Sequence, residues 1–216
     1  MSKEFFGNLR LLSSLTIVLP LLIGIWKYFR LSTMQRKLFY LIVLFSITEL
    51  IANILWYQKL NNLPVYHFYT ILEFLCIIYI YKDVLYKLFP ERICILIAGI
   101  FTVFCIVNML FFQSIYVFNS NATTTLGVLV IFLSISYFYT LLKEIKYTSL
   151  ERNPMFWLNA GFLIYFSSNL LLFYISNSLS TEAAEVNYLV WGLHAVVNIV
   201  LVIFFIIAIW VNPNQH

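Results

Sequence analysis

The sequence predicts an all-α, polytopic integral membrane protein with seven transmembrane helices, and three observations carry that expectation. Of its 216 residues, 62% are hydrophobic and only 10% charged, where a soluble domain carries about 25% charged residues. Mean hydropathy is +0.92. Seven apolar segments each reach the roughly 20 residues that a helix needs to cross a bilayer, and short polar connections separate them. Spans and connections use up the chain, so residues 1–216 read as one transmembrane domain with no room for a soluble domain of about 100 residues.

The expected spans are approximately 11–29, 38–57, 66–85, 93–113, 124–142, 155–176 and 188–210. Pro64, Pro90, Pro154 and Pro213 fall at their ends, and Asn153 followed by Pro154 suits a cap and a first helical position. Only Pro20 lies inside a span. It lacks the N–H that continues a helical ladder, so it predicts a kink in the first helix.

Orientation follows from the basic residues. Lys27, Arg30, Arg36, Lys37, Lys82, Lys87, Arg92, Lys143, Lys146 and Arg152 follow the odd-numbered spans, which leaves Lys3, Arg10 and Lys59 for the opposite side. This bias predicts an N-terminus outside and a C-terminus in the cytoplasm, in the inner (plasma) membrane. Aromatic belts fit the same frame, with Trp56, Tyr57, Tyr116, Tyr188 and Trp191 near the outer ends and Tyr28, Tyr81, Tyr86, Trp157 and Trp210 near the inner ends. The first segment reads as a retained helix rather than a signal peptide, because its positive cluster follows it and no small-residue cleavage site does.

The net charge of +4 is spread over juxtamembrane clusters, so topology explains it and a nucleic-acid partner is not indicated. Cys76, Cys94 and Cys105 are odd in number and lack metal-ligand spacing, and they read as small apolar residues within helices. "FYTIL" at 68–72 and "FYTLL" at 138–142 open and close their spans respectively, so they do not mark a duplication. Lys143, Glu144 and Lys146 suit a solvated helix end, Glu182 and Glu185 an acidic outer loop, and Asn121-Ala122-Thr123 a glycosylation sequon.

Polar residues inside the spans are the candidates for function. Glu49 and Asn53 stand four apart on the second span, and Thr70 and Glu73 three apart on the third, with His67 above them. Asn108, Ser168 and Asn169 lie at similar depth, and Asn187, Trp191, His194 and Asn198 follow the spacing of one helical face. The inner half, apart from Ser134, Ser136 and Asn159, is apolar. A charge at the bilayer centre costs about 2.5–3.5 kcal/mol or more, so such residues turn toward the bundle or a wet cavity. The expected site is an outward-facing polar pocket of Glu49, Asn53, His67, Thr70, Glu73, Asn169, His194 and Asn198. The competing reading is a structural network, each interhelical bond worth about 0.6–2 kcal/mol. Two carboxylates without a Lys or Arg embedded beside them favour the pocket.

An enzyme is the sharpest rival. His67 and His194 with Glu73 or Glu49 are a ligand set for zinc, and the arrangement superficially looks like the seven-helix hydrolases related to ceramidases and adiponectin receptors. Those carry a spaced histidine pair on the last helix, where this chain has His194 alone. A small proton-coupled transporter using Glu49 and Glu73 is the other alternative. No phosphate loop, dinucleotide fingerprint, HExxH or GxSxG occurs, no span core holds a lysine for retinal, and nothing calls for a cofactor.

Over "YHFYTILEF" (66–74) and "FWLNAGFLIYFSSNLLLF" (156–173) the chain resembles a group of bacterial seven-helix membrane proteins often encoded beside sensor histidine kinases. The resemblance implies a sensory role with a kinase or other membrane partner, and it transfers no site residue. Together with the pocket, it leads to the expectation of a receptor-like subunit that signals through a separate protein.

Overall fold

The computed structural model describes residues 3–144, 150–182 and 184–212, with side chains throughout except at 3–4, 6, 144, 178–182 and 184–188. Lys146, and the side chains of Glu144, Glu182, Glu185, Asn187 and Tyr188, fall outside that description. The described chain is helical. Its elements are α1 (Lys3–Thr16), α2 (Val18–Lys27), α3 (Thr33–Tyr57), α4 (Leu63–Val84), α5 (Glu91–Val107), α6 (Ser120–Glu144), α7 (Pro154–Glu182) and α8 (Ala184–Trp210). A wide π turn, Asn108–Phe112, extends α5.

Seven helical stretches are long and apolar enough to cross a membrane: 7–30, 33–57, 63–84, 91–112, 120–143, 154–177 and 189–210. The protein is therefore a multi-pass membrane protein. Its first span is α1 and α2 together. Pro20 offers no N–H to the carbonyl of Thr16, and the helix breaks at Ile17, one turn before the proline.

Capping residues set the other boundaries. The Ser32 side chain accepts from the Gln35 amide and Gln35 reaches back to the Ser32 N–H, a capping box that starts α3 at Thr33, five residues before the expected Leu38. The Asn153 carboxamide accepts from Met155 N–H at 2.9 Å ahead of Pro154, as the sequence predicts. The acidic outer loop expected around Glu182 and Glu185 is replaced by helix: α7 runs through Glu182 and α8 begins at Ala184.

The long strut α8 packs along α7 and receives α1 and α2 on another side. α7 packs on α6, α6 on α4, α4 on α3, and α3 on α2, which closes a ring of six spans. α5 rides on α4 through one stripe, Cys94, Ala98, Phe101 and Cys105, at helical spacing. Cys94 and Cys105 are buried and all three cysteines are free, in line with the small-hydrophobe role.

Several of the basic residues that predict orientation also have structural partners, Lys27 and Lys37 among them. The Lys27 ammonium donates to the Trp210 carbonyl at 2.7 Å, and the buried Gln35 amide donates to the carbonyls of Ala208 and Val211 at 2.9 and 2.8 Å. These donors satisfy the orphan carbonyls at the α8 C-terminus, where positive charge also suits the helix dipole. Lys37 is buried between α3 and α4, where it pairs with Asp83 and donates to the Tyr79 carbonyl. Trp56, Tyr57 and Tyr116 at one end and Tyr86 and Trp210 at the other are exposed, as belts require. Tyr81, also expected at a belt, is instead wholly buried.

Candidate carboxylate, tyrosine and histidine site

The candidate site lies in the half of the bundle that carries the N-terminus. On α3, Glu49 accepts a hydrogen bond from the Tyr66 hydroxyl of α4 at 3.2 Å. One turn along α4, the Tyr69 hydroxyl lies near the Glu73 carboxyl, and its ring packs against Phe45 of α3, centroids 5.9 Å apart. From α7, Tyr165 comes within electrostatic reach of both carboxyls. Two acids from neighbouring helices thus share a shell of three tyrosines. The α4 stripe Tyr66, Tyr69, Glu73 has the 3, 4 spacing of one helical face.

α8 completes the cluster. His194 Nδ1 lies 2.9 Å from Asn169 Oδ1, while the Asn169 amide donates to the Tyr165 carbonyl of its own helix. With its NH₂ so engaged, Asn169 presents oxygen to the ring, which makes Nδ1 a protonated, donating nitrogen of His194. The imidazole is boxed by Trp191, Tyr165 and Phe173, with centroids 5.4 to 5.8 Å away. Trp191, expected at the outer belt, is turned into the bundle.

The remaining expected members divide into two other groups. Asn53 donates to the Glu49 carbonyl and, at 3.4 Å, to Ser14 of α1. Asn198 donates to Ser13 at 2.9 Å, and Ser13 donates to the Ala195 carbonyl. These bonds fasten α1 beside the site and do not line it. His67 and Thr70 require a correction: both are engaged by the connection before α6. His67 Nε2 lies 3.0 Å from the Val117 carbonyl, and Thr70 accepts from Asn119 at 2.7 Å. Their face of α4 meets the connection before α6, which Asn108, Gln113, Ser120 and Asn121 stiffen with mutual bonds. The Asn121 amide of the expected sequon is engaged there with Asn108. Ser168 is exposed on the lipid-facing side.

The alternative ligand set of His67, His194 and Glu73 is not assembled. Among the described residues no three His, Cys, Asp or Glu side chains form a group able to hold a metal ion. Neither carboxyl forms an ion pair: among the described residues the ion pairs are Lys37 with Asp83 and Lys82 with Glu91. What the arrangement offers chemically is a pair of acceptors with phenol donors and aromatic faces, suited to a hydrogen-bond donor or a cation.

A second polar node lies toward the other end. The Tyr81 hydroxyl donates to Asn159 Oδ1, so its oxygen must accept from Ser134, and the Asn159 amide donates to the Ser134 carbonyl. Phe74, Ile77, Phe162 and Phe166, all buried, lie between the two polar levels along α4 and α7.

Sequence reasoning missed the three tyrosines and Ser13, which hydropathy scores as neutral. The signal available for Tyr66 and Tyr69 was their helical spacing to Glu73. No protein-family model matches the sequence, and no curated protein or solved structure is significantly similar to it. The chain's own residues are therefore the whole basis for assigning a function.

Proposed function

We propose that this protein is a receptor-like sensory subunit of a bacterial inner membrane, with its N-terminus outside, that takes a ligand at Glu49 and Glu73 and signals through a separate partner at the cytoplasmic face. One observation carries the reading. Carboxyls from adjacent helices, Glu49 and Glu73, stand near Tyr165 of α7, whose ring lies 5.8 Å from that of His194 of α8, and among the described residues neither carboxyl forms an ion pair with a Lys or Arg. As structural glue alone this is costly, since apolar residues would pack these helices without burying charge. α8 runs from His194 to the end clamped by Lys27 and Gln35, so a shift at the site has a rigid element to carry it across the bilayer.

The test pairs stability with output. Glu49→Gln and Glu73→Gln keep shape and hydrogen bonding, so each should hold the thermal midpoint in detergent within about 2 °C. Each should also change the partner's output in native membranes at least ten-fold. Full output from both variants at every pH tested would leave only a structural seam. Orientation is checked separately: reporters fused after His216 and inserted near Met34 should report cytoplasm, and one inserted at the exposed Ser114 the exterior. A cytoplasmic signal at Ser114 would overturn the outward placement of the site.

A proton-coupled carrier is the second reading, favoured by the second polar node at Tyr81, Ser134 and Asn159 beyond the aromatic layer. Proton-gradient-dependent uptake by reconstituted vesicles would support it.

A further inference from the structure

The wall of the bundle is thin between α1 and α3. α1 packs along α8 and α2 packs on both α3 and α8, with the helix break at Ile17 between them. Above that break the ties from α1 to α3 include the long 3.4 Å bond from Asn53 to Ser14 and the Arg10 guanidinium 5.0 Å over the Trp56 ring. Glu49, Asn53 and Trp56 follow i, i+4, i+7 spacing, so the face of α3 that meets this seam is the one that carries the carboxyl. Glu49 is half-buried, and Leu12 and Leu15 of α1 with Leu50 and Ile54 of α3 are exposed.

We propose that the ligand of the carboxylate site is a cationic amphiphile that enters from the bilayer through the seam between α1 and α3, its ammonium at Glu49 and its alkyl chain along Leu15, Leu50 and Ile54. The proposal rests on the ligand-site reading above and adds the ligand's chemistry and route. An ammonium supplies the countercharge that no Lys or Arg provides within ion-pair distance, and each charge lowers the other's cost in hydrocarbon. The rings of Tyr66 and Tyr69 add cation–π attraction. Arg10 sits exposed on Trp56 at the aqueous end of the seam, so the seam is open to a ligand on its bilayer side, below that guanidinium. An alkyl chain concentrates the ligand in the bilayer, on the side where the seam opens, at about 0.8 kcal/mol per buried methylene.

The experiment measures access to Glu49 in the full chain, reconstituted in phosphatidylglycerol vesicles. Dicyclohexylcarbodiimide, a lipid-soluble carboxyl reagent, should label Glu49, as located by mass spectrometry. Oxidising the double variant Ser14→Cys/Asn53→Cys links α1 to α3 and should cut that labelling at least ten-fold, with recovery on reduction. Ser14→Phe, which fills the seam without a cross-link, should do the same. Dodecyltrimethylammonium should protect Glu49 at least ten-fold, and dodecanol at equal concentration should not. Labelling that is absent, or indifferent to both the cross-link and Ser14→Phe, would overturn the route. Equal protection by dodecanol would overturn the cationic ligand. Labelling needs no partner protein, so it separates this proposal from the sensory one. If the seam fails while Glu49→Gln still abolishes output, the site stands and its lateral entry falls. If the seam behaves as expected while Glu49→Gln is silent in output, the ligand route stands and the sensory role falls.

Discussion

Replacing Asn159 by Leu is expected to destabilise the protein by about 2–3 kcal/mol, one of the largest losses available from a single polar side chain. Asn159 is completely buried on α7 and joins three helices: it accepts from Tyr81 of α4 and donates to the Ser134 carbonyl of α6. Leucine keeps the branched four-atom shape with more bulk, so no cavity opens. What changes is that the Tyr81 hydroxyl loses its Asn159 acceptor and the Ser134 carbonyl loses its Asn159 donor inside an apolar layer. Individual interhelical bonds in membranes contribute about 0.6 kcal/mol on average, so the magnitude comes from losing both bonds of the carboxamide together and fitting a bulkier apolar group among its former partners. Tyr81→Phe removes the hydroxyl along with its bond and should cost about half as much. Reversible unfolding in mixed detergent micelles measures both. If Asn159→Leu proves the milder of the two, the node is not organised around the carboxamide.

The spans were legible because a crossing integrates hydropathy over some 20 residues, and single-residue errors average out. Their ends were not, because the capping chemistry is local and polar. Ser32 and Gln35 start α3 ahead of Arg36 and Lys37, a stretch that an apolar ruler reads as connection. The Pro20 break was legible in kind, and its displacement to Ile17 follows from the carbonyl that proline leaves unpaired, four residues back. Glu49 and Glu73 stood out because charge in hydrocarbon is rare. Their tyrosine partners did not, since tyrosine near a span end is equally at home in a belt, and Tyr81 was read that way although it is buried. His67 and Thr70 show the limit of depth arguments. Periodicity says which residues share a face of α4, but not which neighbour that face meets, and theirs meets Val117 and Asn119. The α8 cap by Lys27 and Gln35 joins residues more than 170 positions apart, beyond any local pattern.

Gly161→Ala should prove comparably severe, at about 2 kcal/mol, because it strikes the most extensive helix pair in the bundle, α7 against α8. A Cβ at Gly161 would stand 2.7 Å from the Cβ of Phe204 and 3.3 Å from a methyl of Leu201. Rotamer changes cannot relieve the first contact, since a Cβ is fixed to its backbone, so the two helices must separate. The close approach is the use membrane helices make of small residues. Gly99 on α5 has no atom within 4 Å of such a Cβ, and Gly99→Ala should be neutral or slightly stabilising through helix propensity. The consequence reaches the site because Tyr165 and Asn169 lie one and two turns further along α7. Separating the helices there stretches the 2.9 Å contact between Asn169 and His194, in which Nδ1 donates. Gly161→Ala should therefore shift the ring-nitrogen NMR signals of His194 as well as lower the unfolding midpoint, while Gly99→Ala does neither. Truncating the clashing partner, in Gly161→Ala with Phe204→Gly, should bring the His194 signals back toward their original positions even though it removes a packed ring. A His194 spectrum unmoved by Gly161→Ala would show that the site is held independently of the α7 and α8 spacing.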